Sequence, residues 1–223
     1  EAEELFLRSQ HQFGSVDALI ITASGFPSEP VWQRWQQTGR VEPQDWRYYD
    51  SNFTITRNAV LKAINNLPDD ARFCALAFSD ARSLLYRKDT TPNPYWQSDK
   101  ILTVKTENLM ELPLKDQLAL SPPRHSNPYT LAKIDIVRLM ETLALKTQGK
   151  DLRFNTIAPG PMLPPPGRTE QASKAHDCTL LKRWGGPLPV IQTVEFLLKN
   201  SYITGETIKT DGGLHLKCRT SDR

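Results

Sequence analysis

Short apolar runs separated by helical stretches constrain this chain more than any other feature. Val16 to Thr22, Arg72 to Phe78, Asp151 to Ala158 and Glu206 to Thr210 each read as a strand. The first two are apolar nearly throughout, the pattern of strands buried on both faces of a parallel sheet. Helices are expected over Glu1 to Phe13, Pro43 to Leu67 with a break near Asp50, Pro128 to Thr147, and Pro189 to Leu198. Pro128 suits a first helical position and Gly149 a helix end. Gly25 to Glu42, rich in Pro, Gly and Trp, reads as a loop, and Gly167 to Arg183 as partly helical. Strands alternating with helices predict an α/β fold, a doubly wound parallel sheet joined by crossovers. In such sheets ligands bind beyond the carboxyl ends of the strands. Thr22 to Phe26, Ser79-Asp80 and Pro159 to Met162 fall at those ends.

Length and charge set outer limits. The 223 residues predict one domain with room for a core. A net charge of +3, spread without a basic tract, argues against nucleic acid and is compatible with a nucleotide phosphate. Cys74, Cys178 and Cys218 are odd in number and far apart. They predict neither a disulfide framework nor a zinc site, and a reducing, cytoplasmic setting. No apolar run approaches the roughly 20 residues of a membrane span. Ser83 to Asn127 carries prolines at 92, 94, 113, 122 and 123 and reads as an insertion. The chain opens with Glu1 on helix-like sequence, as if entered part-way.

Tyr129 and Lys133 lie four apart on a predicted helix and share a face. An ammonium beside a phenol favours the phenolate, and such a phenol can protonate a substrate as hydride arrives. Two residues alone are weak evidence, since an aromatic and a solvated Lys on a surface helix would look the same. The surrounding series is stronger. Pro128-Tyr129-Thr130-Leu131-Ala132-Lys133 is followed by Asn155-Thr156-Ile157-Ala158-Pro159-Gly160, then Arg183-Trp184-Gly185, then Thr204-Gly205-Glu206 through Asp211-Gly212-Gly213. Upstream, Val16-Asp17-Ala18-Leu19-Ile20 leads into Ala23-Ser24.

This ordered series resembles the short-chain dehydrogenase/reductase family over nearly the whole chain. The resemblance implies a Rossmann-like sheet, truncated at its N-terminal strands, and a reductase using NADPH, with NAD not excluded. Three places narrow it toward pteridine reductases. Thr22-Ala23-Ser24-Gly25-Phe26 resembles a turn whose Phe stacks on a pterin and whose Ser lies near cofactor and substrate. Asp80, followed by Ala81, falls where most of the family has a catalytic Ser and pteridine reductases have an Asp. Tyr129-Thr130-Leu131-Ala132-Lys133 is close to the form common in that subgroup. By the same resemblance Tyr129, Lys133, Asp80 and Asn52 are catalytic, Asn52 holding a water near the Lys. Thr22, Ala23, Ser24, Tyr129, Lys133, Pro159, Gly160 and Met162 bind cofactor. Phe26, Ser24 and Asp80 bind substrate. No metal is implied. The partners implied are a small-molecule substrate and further copies of the chain, as a dimer or tetramer.

The chain also departs from that pattern. It has no TGxxxGxG turn, the backbone cradle that holds a pyrophosphate at a helix N-terminus. Ile21-Thr22 replaces an Asn-Asn pair. Asp80 and Tyr129 are 49 positions apart, where the family has about a dozen residues. The intervening segment, with Tyr86, Tyr95 and Trp96, could cover substrate, block assembly or bind a partner. Two other readings therefore stand beside the pteridine reductase. One is an inactive fragment or pseudoenzyme serving as a structural subunit. The other is a reductase of another carbonyl substrate, such as a 3-oxoacyl thioester.

Overall fold

The computed structural model describes residues 2–85, 127–163 and 178–216. The segment expected to be an insertion lies almost entirely outside them, as do Tyr86, Tyr95, Trp96, Cys218 and most of the 167–183 stretch.

Within the described residues the chain runs α1 (Ala2–Phe13), β1 (Ala18–Ile21), α2 (Glu29–Thr38), a 3-10 turn (Pro43–Trp46), α3 (Arg47–Tyr49), a π-helical turn (Asp50–Thr54), α4 (Ile55–Asn65) and β2 (Phe73–Phe78). Then come α5 (Pro128–Lys146), β3 (Leu152–Pro159), α6 (Leu188–Lys199) and β4 (Thr207–Thr210). The four strands form one parallel sheet in the order β1-β2-β3-β4. Ile21 pairs with Ala77, Ala77 with Thr156, and Pro159 with Thr210, so all carboxyl ends emerge on one side.

Alternation along the strands fills two cores. Ile21, Ala75, Ala77 and Phe154 face Val60 of α4 and Ala132, Ile136 and Met140 of α5. Phe6 of α1 joins the same cluster. Cys74, Leu76 and Ile157 face the other way, onto Leu197 of α6. The result is three layers, with α6 alone on the second face among the described residues. α5 sits deepest. Asn127 caps it by accepting from Thr130 N at 2.8 Å, and Pro128 follows at a position that needs no N–H.

Three expectations need correcting. First, β1 is not buried on both faces. It is an edge strand, and Ile20 is 43% exposed. Second, Gly25 to Glu42 is not all loop, because α2 occupies its centre. Ser28 stands at the N-cap, Pro30 in the first turn, and Gly39 takes the left-handed conformation at the C-terminus, φ 65°, where a side chain would be strained. Third, the break near Asp50 is a π turn, not an interruption. Such a turn loosens the backbone ladder. Side chains answer it: Asn52 Nδ2 donates to Tyr48 O at 2.7 Å, and Thr56 Oγ1 to Asn52 O at 2.7 Å.

Candidate active site

Four elements bring six of the named residues into one connected cluster. Tyr129, at the start of α5, donates from Oη to Asp80 Oδ2 at 3.2 Å. Asp80 follows β2 and is fixed by two backbone donors on Oδ1, Arg82 N at 2.7 Å and Ser83 N at 3.1 Å. Lys133, one helical turn beyond Tyr129, donates to Phe78 O at 3.2 Å and to Ser24 Oγ at 3.3 Å. Ser24 passes the chain on, donating to Asn52 Oδ1 at 2.9 Å. Asn52, wholly buried, donates to Tyr48 O and to Gly25 O at 2.9 Å. Its amide thus ties the helix to the turn after β1. Ser79 adds a clamp, donating to Lys133 O at 2.8 Å.

The electrostatic environment of the phenol differs from the sequence expectation of a favoured phenolate. Lys133 Nζ lies over the Tyr129 ring, 5.5 Å from its centre, and bonds elsewhere. The phenol hydroxyl faces a carboxylate instead. Burial first, then the charge of Asp80, push Tyr129 well above the ordinary phenol range. The group therefore holds its proton at neutral pH. Lys133 goes the other way: burial holds its ammonium down to about 8, against the opposing pull of Asp80.

That depression makes a testable pH dependence. The folded chain releases the Lys133 proton at lower pH than the unfolded chain does. Its contribution to stability is therefore present at high pH and lost as pH falls through about 8. Relative to Lys133→Met, the native chain is expected to gain about 2 kcal/mol between roughly pH 7.5 and 9.5. Urea unfolding of both proteins at the two pH values measures it. A difference that does not vary with pH would refute the assignment.

Aromatic residues close one side of the cluster. Phe26, 65% exposed, stacks on Trp32 with centroids 5.6 Å apart and meets the Tyr129 ring edge-on at 5.2 Å. Trp32 also touches Tyr129 edge-on, at 6.2 Å. Behind them Trp35 packs on Tyr48 at 5.7 Å. Buried Asp45 anchors this wall by accepting from Trp35 Nε1 and Glu42 N, both at 2.8 Å, and by pairing with Arg34. Burial works to raise the Asp45 carboxyl, but these donors hold it below its usual value. Sequence reasoning missed Trp32 and Trp35 because the segment read as loop. Ser28, Pro30 and Gly39 together mark a ten-residue helix, with Trp32 and Trp35 one turn apart on one face.

The remaining named residues lie apart from the network. Thr22 and Ala23 are exposed at the end of β1. Pro159 O accepts from Ala81 N at 3.0 Å, which links β3 to the Asp80 turn. Gly160 is glycine for a local reason: a Cβ there would lie 2.7 Å from Asp211 Cα. Met162 O accepts from Gly186 N at 2.8 Å. Exposed Thr22, Ala23 and Ser24 beside a buried lysine donor fit the nicotinamide-ribose end of a dinucleotide. The chain has no Gly-rich turn for the pyrophosphate.

Residues 119–215 match a family model described as enoyl-(acyl carrier protein) reductase. Carbonyl reductase family member 4 of Xenopus laevis is 34% identical over 93 residues, which are 40% of this chain and 37% of that protein. A 3-oxoacyl-(acyl-carrier-protein) reductase of Thermotoga maritima is 34% identical over 92 residues, 39% of this chain and 37% of the relative. The matches to these curated relatives thus span little more than a third of their length. The fold is similar to that of the FolM alternative dihydrofolate reductase 1 from Brucella suis, solved in complex with NADP. That likeness has a TM-score of 0.67 and 22% identity, and covers 97% of this chain and 70% of the other. ElxO with NADP bound gives 0.66 at 17% identity, covering 96% and 73%. The fold is thus similar to that of these NADP-bound proteins, and residues 119–215 resemble a short-chain dehydrogenase/reductase. The likeness first read from Tyr129, Lys133 and the residues around them thus holds for the family and for the Rossmann-like sheet.

Proposed function

We propose that this short-chain dehydrogenase/reductase chain reduces a pteridine-type C=N bond with NADPH, and that Tyr129 supplies the proton. The observation that carries this reading is the hydrogen bond from Tyr129 Oη to Asp80 Oδ2. A phenol that carries its proton at rest, with a carboxylate on its hydroxyl through which that proton can be restored, can act as the donor as hydride arrives. Asp80, partly exposed, is the route by which the phenol regains a proton after giving one up. The bound cofactor would supply the hydride. Lys133 and Ser24 would hold its ribose, and Thr22 and Ala23 would flank it. Met162 would offer backbone contacts to the carboxamide, and Pro159 and Gly160 would shape the turn beneath it. Asn52 keeps Ser24 in place. Phe26, backed by Trp32, offers a flat aromatic face of the kind that stacks on a heteroaromatic ring. Two NADP complexes of FolM alternative dihydrofolate reductases among the similar folds support this choice of substrate and cofactor.

NADPH oxidation by the chain with dihydrobiopterin, compared with an acetoacetyl thioester, is the direct test. Faster turnover of the pterin is expected, and equal or faster turnover of the thioester would sink the pterin reading. The thioester reading has its own support in the 3-oxoacyl-(acyl-carrier-protein) reductase relative. No turnover of either would favour a structural subunit. Homo-oligomerisation and a cytoplasmic setting belong to the proposal. No described helix is long and apolar enough to cross a membrane. Trp32→Ala should raise KM for the pterin about fivefold with little change in kcat, since a lost aromatic stack removes about 1 kcal/mol of binding. Steady-state kinetics separate the two constants.

A further inference from the structure

A cavity of about 660 Å³ opens beside the carboxyl end of β4, where the Asp211-Gly212-Gly213 turn approaches α6. That volume falls in the range typical of small-molecule sites, about 300–1,000 Å³. Neither Tyr129, Lys133, Asp80 nor Asn52 lines it, and of the cofactor candidates only Met162 does. Its walls are largely apolar, with Met162, Leu181, Phe196 and Ile208 among them. Three basic side chains also line it: Arg183, Lys209 and His215.

The charge is one-sided. Asp211 is the single acid in the lining, and it is already engaged. It accepts from Gly213 N at 3.0 Å and His215 N at 2.9 Å, and lies 2.8 Å from His215 Nδ1. Its side chain is 2% exposed, so it offers nothing to a cation in the cavity. Arg183 and Lys209 are exposed, and among the described residues neither forms an ion pair. An apolar chamber with two such cations on its wall suits a ligand that is apolar at one end and anionic at the other.

We propose that this cavity binds a small amphipathic anion, an apolar body bearing one carboxylate or phosphate. The body lies against Met162, Leu181, Phe196 and Ile208, and the head group pairs with Arg183 and Lys209. The site lies apart from Tyr129, Lys133, Asp80 and Asn52, shares only Met162 with the cofactor candidates, and does not depend on the function proposed for them.

Calorimetric titration of the chain at neutral pH with decanoate, decyl phosphate, decanol and decyltrimethylammonium tests this. Decanoate or decyl phosphate is expected to saturate at one per chain and to bind at least tenfold tighter than decanol, with the cation weaker still. The two anions together show whether the head group must be carboxylate, phosphate or either. Arg183→Gln with Lys209→Gln should weaken the anion at least tenfold and decanol less than twofold. Both side chains are exposed, so this variant should keep its fold, which circular dichroism checks. Decanol binding as tightly as the anions, uptake that does not saturate, or unchanged binding in the double variant would each overturn the proposal. Displacement by NADP would do so too, by assigning the cavity to the cofactor.

Discussion

Tyr129→Phe is expected to lower NADPH-dependent turnover by about 10²–10⁴-fold, the usual contribution of a positioned proton donor. The substitution deletes one oxygen. The ring stays wedged against Phe26 and Trp32, and Asp80 keeps its backbone donors at Arg82 and Ser83. Loss of the bond to Asp80 should cost only about 1–2 kcal/mol of stability. Kinetics and a thermal melt on the same preparation separate the two effects. Retained turnover with a normal melt would remove Tyr129 from the reaction.

Asn52→Ala should instead unfold the site, at about 3–5 kcal/mol. The residue is 0% exposed and makes four hydrogen bonds, donating to two backbone carbonyls and to Ser51 Oγ and accepting from Ser24 Oγ. Each buried partner left unmet costs about 1–3 kcal/mol. The loss falls where the π turn already strains the ladder and where the turn after β1 is tied down. Denaturant unfolding measures the cost. A loss below about 1 kcal/mol would mean that water or a neighbour replaces the amide.

Much of this architecture could be read from residues. Strands with apolar runs, a Pro at a helix start and a Gly at a helix end are local instructions, and α5, β2 and β3 follow them closely. The pairing of Tyr129 with Lys133 follows from helix periodicity alone. The link from Tyr129 to Asp80 does not, because it joins positions 49 apart across a segment with no periodic pattern. The sequence also predicted an ammonium that favours the phenolate, whereas burial and the Asp80 carboxylate keep the proton on Tyr129. α2 was hidden because its tryptophans and Pro30, set among further Pro and Gly, read as loop composition. Its helix depends on the Asp45 anchor, a contact made beyond the helix itself. The reason for Gly160 lies in Asp211, some fifty residues away.

The π turn has a geometric consequence. An α-helix advances about 100° per residue, so a turn with one residue to spare shifts the angular phase of everything beyond it by that amount. Upstream of the shift, Tyr48 points into the aromatic wall with Trp35 and Tyr129. Downstream, Val60 and Leu61 point into the sheet. One continuous rod thus serves two neighbours at different azimuths. Excising a single residue between Asp50 and Thr54 would bring the halves into register with each other, and one of the two surfaces would then face the wrong way.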